Sequence, residues 1–258
     1  MSALSLIGAT ARLDGREVLS GVDLGVLPGE IVALTGPNGA GKTSVIRALA
    51  GVLPLAAGEA RLDGLALAEL SPRERARRAA WLPQDRRIAW NMPAVEIAAL
   101  GAPFLSGAEA RDRALEALIE IDAGDLATRG VAEMSGGERA RVLFARFLAT
   151  GAPALMADEP AAGLDPDAQL LVMEVLRSRA EAGAAVLVSL HDLSLAARYA
   201  DRVVVMHHGR IAADGPPREA LAPAVLRHRV ILSPAAEIEG RPVEEVIARL
   251  IEQVEAPR

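Results

Sequence analysis

Three short segments of this chain hold residue types suited to handling a phosphate ester. Gly36-Pro37-Asn38-Gly39-Ala40-Gly41-Lys42-Thr43 fits the spacing G-x-x-x-x-G-K-[ST], directly after the apolar run from Ile31 to Leu34 and ahead of a helix-like stretch. Glycines let backbone N–H groups turn inward around an anion, and the following helix adds its dipole. Lys42 would then reach the β- and γ-phosphates of a nucleotide while the Thr43 hydroxyl ligates Mg²⁺. The plain alternative is a Gly-rich turn that happens to end in Lys-Thr. Leu155-Met156-Ala157-Asp158-Glu159 is an apolar strand closing on two carboxylates. Behind a phosphate loop, Asp158 would hold Mg²⁺ directly or through water and Glu159 would polarise an attacking water; taken alone, the pair reads equally well as a solvated strand end. Met134-Ser135-Gly136-Gly137-Glu138 precedes another helix-like run. It is either a second anion site at a helix N-terminus or an ordinary cap, with Ser135 capping and Glu138 closing a capping box.

Composition narrows the partners. A formal charge of −6 and a pI near 5.4 give no electrostatic footprint for nucleic acid. The 258 residues, 51% hydrophobic, suffice for one large domain, or one with an appended lobe. No cysteine is present, which removes disulfides and thiolate metal sites and fits a reducing compartment. The longest charge-free run, Ile97 to Ala108, contains Gly and Pro and falls short of the ~18 apolar residues of a spanning helix. With no export signal visible, the chain is expected in the cytoplasm. Lys42 is the only lysine; every other residue among the 28 Lys+Arg is arginine. A bias of that kind spares a position where a compact point charge is needed.

The elements that must position these groups can be read from apolar periodicity. Strand-like runs at Leu4–Ile7, Val22–Val26 and Ile31–Leu34 precede a helix over 42–50. From about Met92 to Thr150 the spacing is helical, as in 108–121 and 138–148. Buried-type runs at 154–157, 185–190 and 203–206 then alternate with helical segments such as 167–181, the pattern of a parallel α/β core. In the tail, Val243, Val246, Ile247, Leu250, Ile251 and Val254 share one helical face, suited to packing on its own domain or to a dimer or regulatory contact.

In order and spacing these motifs resemble the ATP-binding-cassette family over nearly the whole chain. The resemblance implies ATP and Mg²⁺ as cofactors, with Gly36, Pro37, Asn38, Gly39, Ala40, Gly41, Lys42, Thr43 and Ser44 as the phosphate cradle. It implies that Ser135, Gly136 and Gly137 are a signature that contacts the γ-phosphate held by a second copy in a head-to-tail dimer. Gln84, in Trp81-Leu82-Pro83-Gln84, matches the glutamine that senses Mg²⁺ and the permease, and His191 the histidine that contacts the γ-phosphate and attacking water. By itself His191 reads as a polar residue at a strand end. Ala162-Gly163-Leu164-Asp165 matches the loop that crosses the dimer interface. Thr43, Gln84 and Asp158 are the implied metal-side residues, and Glu159, Gln84 and His191 the catalytic ones. Two positions depart from the pattern: Met134 stands for the usual leucine, a volume-conserving swap, and no aromatic stands near Leu13, where such cassettes stack adenine. Adenine contact is therefore expected to be apolar.

The implied fold is a P-loop α/β core with a mixed sheet, an antiparallel β portion near the N-terminus and a helical subdomain at about 85–150. The ATPase domain would run over 1–235 and a C-terminal amphipathic helix over 236–258. Residues 70–84 and 191–202 are similar to importers of iron chelates, haem and cobalamin, although the arginines at 73–78 also read as a solvated helix face. That branch implies transmembrane permease subunits as direct partners and a substrate-binding protein as an indirect one. It places the chain peripherally at the cytoplasmic face of the inner membrane. Other readings are an importer motor for a different cargo, or a soluble cassette ATPase of iron-sulfur cluster assembly or DNA repair.

Overall fold

The computed structural model describes residues 2–85, 88 and 91–226. The amphipathic face between Val243 and Val254, and the helix expected over 236–258, lie outside the described residues.

Three five-residue runs, β3 (Ile31–Thr35), β7 (Ala154–Asp158) and β8 (Ala185–Ser189), are buried at every position. Continuous apolar strands of this kind need cover on both faces, and the side chains alternate between two cores. Ile31, Ala33, Leu155, Ala157, Val186 and Val188 enter one core, whose helical side includes Phe144, Val172 and Leu176. Val32, Leu34, Met156 and Leu187 enter the other, with Val45, Ile46 and Leu49 of α1 (Lys42–Leu49). The strands β6 (Ala79–Leu82), β9 (Arg202–His207) and β10 (Arg210–Gly215) complete a six-stranded sheet in the order β10-β9-β3-β8-β7-β6, parallel except for the β9–β10 hairpin. A second, antiparallel sheet, β2-β1-β4-β5, is built from β1 (Leu4–Leu13), β2 (Arg16–Val26), β4 (Leu55–Leu62) and β5 (Leu65–Ala66), and it closes the second core.

Helices α3 (Ala94–Ala99), α4 (Gly107–Glu120) and α5 (Gly136–Ala149) pack on one another between β6 and β7 in sequence. Both longer helices start with a full capping box, Ser106 with Glu109 and Ser135 with Glu138. The chain continues through α6 (Pro166–Glu181) and α7 (Leu193–Tyr199) to α8 (Pro217–Leu226).

The helices expected over 42–50, 108–121, 138–148 and 167–181 form within two residues of those bounds. The first strand runs on to Leu13, because irregular pairing with β2 and β4 absorbs its glycine and polar positions. The strands β4, β5, β6 and β10 were not anticipated. The arginine-rich segment folds as α2 (Pro72–Arg78), which buries no residue and is capped by Ser71 and Glu74. Its solvated-face reading holds, with one addition: the Arg73 and Arg77 guanidinium groups lie 5.6 and 4.9 Å from the centre of the Phe104 ring.

Candidate functional site

Adjacent parallel strands bring their carboxyl ends to one edge of the large sheet, and the candidate residues follow those ends. The phosphate loop leaves β3 at Gly36, whose φ is +130°; a Cβ there would lie 2.2 Å from the Met206 carbonyl oxygen of β9. Only glycine permits that close approach. At Gly41, φ is +109° and a Cβ would lie 3.0 Å from the Val18 carbonyl oxygen, so the turn into α1 is also restricted to glycine. Lys42 opens α1 and is 6% exposed. Its Nζ donates to the carbonyls of Gly36 (2.8 Å) and Pro37 (3.1 Å), folding the ammonium back over the loop. Burial lowers the Lys42 pKa, while the charges of Glu159 and Asp158 act to raise it. Residues 38–44 line a cleft of about 460 Å³ together with Val18, Gln84, Glu159 and His191.

The carboxylates are held in different ways. Asp158, 1% exposed at the end of β7, accepts the Ser189 hydroxyl at Oδ1 (2.6 Å), and its Oδ2 is buried with no hydrogen-bond partner. A half-satisfied buried carboxylate is costly unless something else meets the second oxygen. Glu159 follows with φ +51°, a left-handed conformation that costs about 1–3 kcal/mol outside glycine. Its carboxylate accepts from Gln84 Nε2 at 3.0 Å and lies 2.5 Å from His191 Nε2. Because a carboxylate ion can only accept, the proton of that second contact belongs to the imidazole. The arrangement offers a cationic loop for phosphate, an unpartnered buried oxygen suited to a hard cation, and a clamped carboxylate able to take a proton.

Gly36 through Ser44, Gln84, Asp158, Glu159 and His191 are thus brought together in and directly behind one cleft. Ser135, Gly136 and Gly137 are not: none lines it. Ser135 accepts from the Glu138 backbone N–H (3.2 Å), the Glu138 carboxylate returns to the Ser135 backbone N–H (2.7 Å), and Arg129 pairs with Glu138. The ordinary cap is therefore present in the single chain. It still leaves Gly136 facing open space, and Gly137 near Leu164 of the loop after Glu159. Asp165 likewise stands outside the cleft and caps α6, accepting from Ala168 N at 2.9 Å. Leu13, at the end of β1, is exposed. Ser189 carried no role in the sequence reading; the available signal was a single hydroxyl in a wholly apolar strand.

A second cleft, of about 420 Å³, lies between β6 and the α3–α5 helices. Trp81, Leu82 and Pro83 contribute to its wall immediately before Gln84, and Phe104 and Phe147 contribute from the helical side.

Residues 19–162 match the ABC transporter family. A hemin import ATP-binding protein of Streptomyces coelicolor is 45% identical over 241 residues, covering 92% of this chain and 83% of the relative. One from Nocardia farcinica is 47% identical over 232 residues, covering 88% and 80%. Among solved structures, a dimeric bacterial ABC transporter cassette superposes with a TM-score of 0.76 at 27% identity, over 83% of this chain and 98% of that one. A dimeric ATP-binding cassette in a post-hydrolysis state with ADP and Pi gives 0.76 at 26%, with the same coverage. With its phosphate loop, clamped carboxylate and P-loop α/β fold, the chain belongs to the ABC transporter family as one of its ATP-hydrolysing subunits.

Proposed function

We propose that this ATPase energises the import of hemin or a related metal chelate through separate transmembrane permease subunits, at the cytoplasmic face of the membrane. The observation that carries the catalytic part is the clamping of Glu159 by Gln84 and His191 beside Lys42. The cargo rests on similarity to hemin import ATP-binding proteins from several bacteria. Among the described residues no helix is long and apolar enough to cross a membrane, which fits a motor that works on separate spanning chains.

When ATP enters, Lys42 exchanges the Gly36 and Pro37 carbonyls for β- and γ-phosphate oxygens, and the amides of residues 38–44 close around the phosphates. The Thr43 hydroxyl and the buried Asp158 Oδ2 are the donors that suit Mg²⁺, with Gln84 beside them. A Mg²⁺ ion held by these groups would supply positive charge against that developing on the phosphate oxygens. Glu159 orients the attacking water and takes its proton, and His191 steadies that carboxylate and faces the γ-phosphate. Ser135, Gly136 and Gly137 act on the cleft of a second copy, head to tail, and Asp165 and its loop border that interface. Their position outside their own cleft and the dimeric cassettes among similar structures support this arrangement.

Two such clefts closing on ATP and opening after hydrolysis supply the differential affinity that a conformational cycle requires. In this reading residues 1–235 form the ATPase domain, α3–α5 form a helical subdomain, and the groove beside Gln84 receives the permease. A substrate-binding protein delivers cargo on the far side. The test is ATP hydrolysis by the purified chain, alone and reconstituted with the permease encoded beside its gene, with Lys42→Ala as control. Lys42-dependent turnover stimulated by permease and hemin-loaded binding protein is expected. Lys42-dependent turnover indifferent to any permease would replace this reading with a soluble ATPase machine.

A further inference from the structure

Asp158 ends β7, Ser189 ends β8, and the two are register partners in the parallel sheet. Ser189 is fully buried. Its hydroxyl has one proton to give and lone pairs to receive, and both capacities are used. The proton goes to Asp158 Oδ1 at 2.6 Å, and the oxygen accepts the Glu159 backbone N–H at 2.9 Å. The direction is fixed, because an amide only donates and a carboxylate ion only accepts. One side chain therefore connects two consecutive residues with different tasks.

We infer that Ser189 is a positioning residue for ATP hydrolysis, setting the rotamer of the metal-side carboxylate Asp158 and the backbone of the proton-accepting Glu159 through one hydroxyl. The inference rests on the roles given above to those two carboxylates. Binding one oxygen of Asp158 stops the carboxylate from turning, so that Oδ2, buried and without a protein partner, keeps a single direction for a cation. Holding the Glu159 amide secures a residue whose φ of +51° would otherwise relax towards the ordinary regions, carrying its carboxylate away from Gln84 and His191. Ser189 itself lines no part of the 460 Å³ phosphate cleft, so it acts through its two partners and does not touch nucleotide. A serine that merely sealed the ends of two strands would leave metal dependence unchanged when removed.

The experiment measures the affinity of a fluorescent ATP analogue with Mg²⁺ and in EDTA, alongside kcat and KM, for the wild type, Ser189→Ala, Ser189→Thr and Lys42→Ala. Outer partners of metal ligands typically contribute about 10- to 100-fold. Ser189→Ala is expected to lose a factor of that size from the Mg²⁺-dependent gain in affinity and from kcat, while its affinity in EDTA stays at the wild-type value. Ser189→Thr, which keeps the hydroxyl, is expected to restore both. Wild-type Mg²⁺ dependence in Ser189→Ala would overturn the inference. So would equal losses with and without Mg²⁺, since a general folding defect has no reason to single out the metal. Lys42→Ala reports separately: if it binds and hydrolyses like the wild type, the reading of the whole cleft has failed rather than the role of Ser189.

Discussion

Gln84 Nε2 stands 3.0 Å from Glu159 Oε2, so the residue that follows the groove wall of β6 holds the carboxylate to which the proposed function gives the attacking water. Trp81, Leu82 and Pro83 line the groove, and two residues after Leu82 the chain is bonded to Glu159. In the proposed function, a permease that presses on this wall would move the Gln84 hydrogen bond to Glu159. Bonds to charged groups contribute about 1.5–3 kcal/mol, so Gln84→Ala should lower kcat by about tenfold or more. Reconstituted with permease, the variant should lose most of the stimulation while its KM for ATP changes little. Stimulation equal to wild type, measured in liposomes, would separate Gln84 from the coupling route.

Glu159→Gln keeps the shape of the clamp and removes the proton acceptor. The variant should bind ATP, turn over at least about 100-fold more slowly, and elute as a closed dimer on gel filtration with Mg-ATP. Monomer in the presence of ATP, or turnover near wild type, would remove Glu159 from its assigned role.

Ser135 has two tasks in this account, and they can be separated. As the cap of α5 its loss should cost about 1 kcal/mol, a fall in Tm of roughly 2–4 °C for a domain of this size. Ser135→Asp keeps a capping oxygen but places negative charge where the second copy's γ-phosphate would arrive. Its Tm should therefore be close to wild type while ATP-driven dimerisation is lost. Scanning calorimetry and light scattering read the two effects independently.

The same capping box sets a pH dependence. Hydrogen bonds from the Ser135 backbone N–H and hydroxyl, with Arg129 alongside, hold the Glu138 carboxyl at about 2, below its ordinary 4.5. With the folded value depressed, the unfolded chain binds more protons between these limits. The stabilisation is complete above about pH 4.5 and is lost as pH falls through about 2. A carboxyl titration followed by NMR should show Glu138 ionised at pH 3.5, and Ser135→Ala should return it towards its ordinary value.

The phosphate loop, α1 and the helices α4 to α6 could be read from sequence because local rules agree with the tertiary outcome there. Glycines fall where φ is positive, serines stand three residues before glutamates, and apolar residues keep helical spacing. The second sheet could not be read to the same extent. Leu55–Leu62 is mostly alanine, glycine and charge, and it becomes a strand only because β1 supplies a pairing edge 40 or more residues earlier in sequence. Ser189 was hidden for a related reason: its meaning lies in a register with Asp158 across 31 residues, and inside an apolar run a serine looks like any small buried residue. Asp165 was read only as part of a loop that crosses a dimer interface; the single chain displays a cap of α6, which that reading did not include.

In the proposed dimer each working site joins the phosphate cleft of one copy to the Ser135–Gly137 segment of another. Mixing two inactive variants tests it most directly: Lys42→Ala, damaged in its cleft, and Ser135→Asp, damaged in its signature. A mixed dimer has one site built from the intact cleft of the second variant and the intact signature of the first. ATP hydrolysis absent from either variant alone and appearing on mixing is the predicted result. No recovery on mixing, with mixed dimers demonstrated by differential tagging, would contradict the account.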